Sequence, residues 1–75
     1  MPQIMSSSVD LVALSETTWR VCDARFDEGD PRRILGYLSW HEPVYEMMWM
    51  RPRPGVVRNY PSIERAVQAI DSTLP

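Results

Sequence analysis

The chain contains no lysine; its eight basic residues are all arginine and face ten acidic ones, for a net charge of −2. A general attraction to nucleic acid or to an anionic membrane is therefore missing at the level of the whole chain, and only a local arginine cluster would create one. The all-arginine basic set fits the codon bias of a GC-rich genome. Cys22 is the single cysteine, which excludes an intramolecular disulfide framework and fits a reducing compartment. His41 is the single histidine, and a hairpin separates it from Cys22, so no set of converging metal ligands can be read from spacing. Only three glycines are present, and neither a phosphate-cradling loop nor a Gly-x-Ser-x-Gly elbow is among the patterns. No apolar run approaches the roughly 20 residues that span a bilayer, and no charged-then-apolar leader opens the chain. The expectation is a soluble, cytoplasmic protein with no membrane contact.

Two smaller patterns invite chemistry and lose to simpler readings. The Asp27-Glu28-Gly29-Asp30 cluster offers oxygen ligands but lacks the EF-hand spacing and its bidentate Glu, and Asp and Gly suit turns in any case. Cys22 shares an expected strand face with Ala24 and Phe26, and a thiol buried without a positive neighbour is inert. The chain is therefore expected not to be an enzyme, and no catalytic residue, metal site, cofactor or small-molecule substrate is assigned.

What is present is a supply of large apolar side chains in a chain of 75 residues, close to the lower size limit for unaided folding. Residues 1–8 show no period and are expected to be a mobile tail, with 9–75 forming one small domain. Val9 to Leu14 fits either a short strand or a helical turn. From Thr17 the strand formers dominate, and a strand is expected to end at Phe26 before the turn cluster. Trp19 and Val21 share one face, and Asp23 and Arg25 are expected to reach solvent at the end of that face. A second strand from Arg33 to Trp40 carries Gly36 in its middle, the mark of a bulge or of a close approach by another group, here a tryptophan ring. Pro43 bends the chain, and a third strand from Val44 to Arg51 is apolar on both faces. Pro52 and Pro54 then end regular pairing, with Val56 and Val57 available for a brief fourth strand.

The segment from Ser62 to Leu74 is the one strongly helical stretch. Ser62 can cap it, Glu64 complements the helix dipole, and Ile63, Ala66, Val67, Ile70 and Leu74 fall on one stripe. The short connections predict an α+β domain, a three-stranded antiparallel meander with a possible fourth short strand, packed on one C-terminal helix.

The Tyr60-Pro61-Ser62-Ile63-Glu64-Arg65-Ala66 segment following such a meander resembles the helix start of small sheet-plus-helix domains, including the arm-type DNA-binding domains of phage integrases. The tryptophan-led first strand and the Tyr45-Glu46-Met47-Met48 strand are also similar to small uncharacterised proteins of actinobacteria and their phages. The resemblance covers about Thr18 to Ile70 and implies a three-stranded sheet on one helix, with DNA contact through basic residues on the sheet. This chain departs from that pattern in being mildly acidic and in carrying Glu46 and Met47 on its third strand.

Two surfaces are candidates for function. One helix can cover only one face of a hairpin that is apolar on both, so the other face needs a partner. Tyr45, Met47 and Trp49, with Tyr37, are the expected interface of a small interaction module that homodimerises or binds another protein; should they lie under the helix, the role passes to Val44, Met48 and Met50. The second candidate is an arginine rim. Arg32 and Arg33 begin the second strand, Arg51 and Arg53 end the third and Arg58 follows, so antiparallel pairing would gather them at one edge, either paired with Asp27, Glu28 and Asp30 or free to contact nucleic acid.

Overall fold

The computed structural model describes residues 8–74, and most of the tail expected over 1–8 lies outside them. Five strands in chain order form one antiparallel sheet: β1 (Val9–Ala13), β2 (Thr18–Asp23), β3 (Ile34–His41), β4 (Val44–Trp49) and β5 (Val56–Tyr60). The helix α1 (Ile63–Thr73) follows β5 directly and lies against β1, β4 and β5. The α+β class, the antiparallel meander and the C-terminal helix are as the sequence predicts, but the sheet has five strands where three or four were expected. Val9 to Ala13 resolves as a strand because it finds a partner: Leu11 pairs with Val21 and Val12 with Arg20. Val56 to Tyr60 pairs with β4 from Trp49 back to Tyr45.

Cross-strand partners share a face, so the register sorts the side chains. Ala13, Trp19, Leu38, Met47 and Arg58 form one row across the inner face, and Leu11, Val21, Gly36, Trp49 and Val56 form the next. Ala66, Val67 and Ile70 of α1 close over this face and are buried against Val21, Leu38 and Met47. Ser62 caps the helix by accepting a hydrogen bond from the Arg65 amide at 3.1 Å, which satisfies one of the free amides of the first turn.

A register shift between Val21 and Cys22 places a bulge in β3 opposite them. Val21 pairs with Gly36 and Cys22 with Ile34, so Leu35 is the extra residue and turns into the core. The bulge puts Ile34 beside Cys22 on the outer side, where strict alternation with Gly36 and Leu38 would place it on the inner one. Gly36 itself is required by the neighbouring strand: a Cβ there would collide with the Met48 carbonyl oxygen and lie 2.8 Å from Met47 Cε. The close approach expected of a tryptophan ring is made by β4 backbone.

Candidate functional site: an arginine-lined groove

Where the helix ends at Thr73 and Leu74, a groove of about 870 Å³ lies against the sheet. Leu35, Trp49, Val56 and Tyr60 supply its apolar floor, and Arg25, Arg32, Arg51, Arg53 and Arg58 surround it. Among the lining residues the only acid is Asp23. A chain of net charge −2 thus concentrates five of its eight arginines around one concavity.

Two of these arginines are clamped by the same local device. In Asp23-Ala24-Arg25 the carboxylate accepts from the Arg25 amide at 3.0 Å, from Nε at 2.9 Å and from Nη2 at 2.7 Å. In Asp30-Pro31-Arg32 the corresponding distances are 2.9, 3.1 and 2.9 Å. The fork fixes each side chain and cancels much of its charge. Arg25 holds Asp23 below the usual carboxylate range although burial acts the other way, and Arg32 lowers Asp30 to about 2. Arg32 also lies over the Phe26 ring, 4.4 Å from its centre. Asp23, expected to reach solvent, is 2 % exposed; its position is tolerated because the fork satisfies both oxygens.

The other three arginines have no carboxylate clamp among the described residues. Arg51 donates Nε to the Pro31 carbonyl at 3.0 Å and Arg58 donates Nη1 to the Val57 carbonyl at 3.2 Å, which leaves other donors on each guanidinium uncommitted. Arg53 is exposed between two prolines and carries no hydrogen bond or ion pair to the described residues.

The structure brings together four of the five arginines expected at one edge: Arg32, Arg51, Arg53 and Arg58. Arg33 does not join them. It turns to the other side of the sheet, donating to the Phe26 carbonyl at 2.6 Å and pairing with Asp10 at 3.2 Å. Arg25 lines the groove in its stead, a residue that sequence reasoning missed; the repeated Asp-x-Arg spacing is the signal that could have found it.

The expected contact triplet is placed differently. Met47 is 0 % exposed, and Tyr45 and Trp49 pack half-buried against the core on the same face of the sheet, Trp49 also lining the groove. Tyr45 lies between Trp40 and Trp19, with ring centres 4.7 and 6.0 Å away. The physical reason is register: these residues are opposite Leu38 and Gly36, on the face that α1 covers. Tyr37, Met48 and Met50 are outside that core, and Met48 is 42 % exposed. Cys22 is buried, but on the outer side of the sheet, paired with Asp10 and Ile34.

Among the described residues no group of three or more His, Cys, Asp or Glu side chains converges, and no helix is long and apolar enough to cross a membrane. No family, curated protein or solved structure matches the chain.

Proposed function

We propose that this is a non-catalytic binding module that takes single-stranded nucleic acid in the arginine-lined groove. The observation that carries the reading is the convergence of Arg51, Arg53 and Arg58, none of them clamped by a carboxylate, around the rings of Trp49 and Tyr60. Guanidinium groups grip phosphates, and aromatic floors accept bases of any sequence by stacking. A concave site suits a flexible strand, whereas a protruding helix or ribbon is what enters the major groove of a duplex.

The integrase-type resemblance would instead lay basic residues of the sheet on DNA. In this chain the central row of the open face is Val12, Arg20, Tyr37, Met48 and Val57, with one basic member. The groove is the better nucleic-acid candidate for that reason.

The test is fluorescence anisotropy with labelled single-stranded DNA and RNA of mixed sequence over a range of salt. Three arginine–phosphate contacts give log K a slope of about −2 against log salt on a single strand. Replacing Arg53 and Arg58 together by glutamate should abolish binding while leaving the circular dichroism spectrum unchanged. Absence of binding at low salt, or binding indifferent to that double substitution, would sink the proposal.

A further inference from the structure

The outer face of the sheet carries an apolar row with one charge set into it. Val12, Met48 and Val57 are each about two-fifths exposed, and Arg20 sits between Val12 and Tyr37 in the same row. Arg20 Nε is shut off from solvent and donates to nothing, and no carboxylate among the described residues pairs with this guanidinium. Two residues further along the sheet, Glu46 lies on the same face in the row of Thr18, Ser39 and Asn59. Among the described residues its ionic neighbour is His41 Nε2 at 3.6 Å, beyond hydrogen-bonding distance.

Arg20 is on β2 and Glu46 on β4, and β3 lies midway between them. We infer that the outer face is the interface of a two-fold homodimer in which Arg20 of each copy pairs with Glu46 of the other. A two-fold axis along β3 lays β2 of one copy over β4 of its partner. Arg20 then faces Met48 of the second chain and is offset from Glu46 by two residues, roughly 7 Å along a strand, within reach of an arginine side chain. The same rotation forms the pair twice, as an isologous interface requires. A purely apolar partner would bury Arg20 without a counter-charge, which is costly; a second copy brings the counter-charge with it. The inner-face groove is left open, so the dimer does not depend on what the groove binds.

Sedimentation of the intact protein and of two charge reversals, Arg20→Glu and Glu46→Arg, tests the pairing. The wild type should show a mass that doubles with concentration, and each variant alone should sediment as a folded monomer at concentrations where the wild type is dimeric. An equimolar mixture of the two variants should recover the dimer, because one chain then carries both acids and the other both bases. Glu46 is half exposed, so Glu46→Arg carries the test alone if Arg20→Glu fails to fold. A wild type that stays monomeric, a dimer that survives Glu46→Arg, or a mixture of two folded variants that remains monomeric would each overturn the inference.

Discussion

Met47 and Met48 are adjacent and chemically identical, yet one is fully buried and the other 42 % exposed. The same contrast runs across the whole sheet. The inner row of Trp19, Leu38 and Met47 is sealed by Val67 and Ile70, and among the described residues no element lies over the outer row of Val12, Tyr37 and Met48. Both rows are apolar, so hydrophobicity does not tell them apart. What separates them is the side on which α1 returns after β5.

The sharpest way to break this comparison is to place the same charge on both sides. Met47→Glu should unfold the protein, because an uncompensated charge in the core costs about 4 kcal/mol, a large part of the stability of so small a domain. Urea titration followed by tryptophan fluorescence reads this directly, and a folded Met47→Glu variant would mean that the helix does not cover that face.

Gly36→Ala comes next. The added methyl meets β4 backbone, which cannot swing aside as a side chain can, so a loss of roughly 2 to 3 kcal/mol is expected, the upper part of the overpacking range. Unchanged thermal stability would show that β3 and β4 are further apart than the register requires.

Asp23→Ala should cost less, about 1 to 2 kcal/mol, since its partner Arg25 is well exposed and solvent screens the pair. The variant also sharpens the pH dependence. Asp23 has a folded pKa below its ordinary 3.8, so its contribution is complete above that value and is lost as pH falls through the lower folded value. Asp30 acts in the same direction between 3.8 and about 2. Acid unfolding should therefore steepen below pH 4 in the wild type and be shallower in Asp23→Ala; identical acid limbs would remove the fork from the account of stability.

The smallest effect is expected at Met48→Glu. Measured at a concentration where the protein is monomeric, it should change folding stability by no more than about 0.5 kcal/mol, as at other exposed sites. A loss as large as that of Met47→Glu would mean that the outer face is covered within the monomer.

The sequence by itself determined the class of the fold, the helix and the pairing of β2, β3 and β4. Each of these rests on a local signal: a cap and an apolar stripe in 62–74, strand formers between turn residues in 17–51. It also determined that arginines would meet, since antiparallel pairing brings the start of β3 beside the end of β4 whatever the rest of the chain does. Only the tertiary structure decided that β1 and β5 are strands, because short segments acquire that state from a neighbour to pair with. The bulge at Leu35 likewise decided the facing of Ile34. The same long-range packing chose which apolar face became core, sending Tyr45, Met47 and Trp49 inward, and it placed Arg25 in the groove and Arg33 outside it. A side chain's face depends on register and on where the helix docks, and both are set by contacts between residues far apart in the chain.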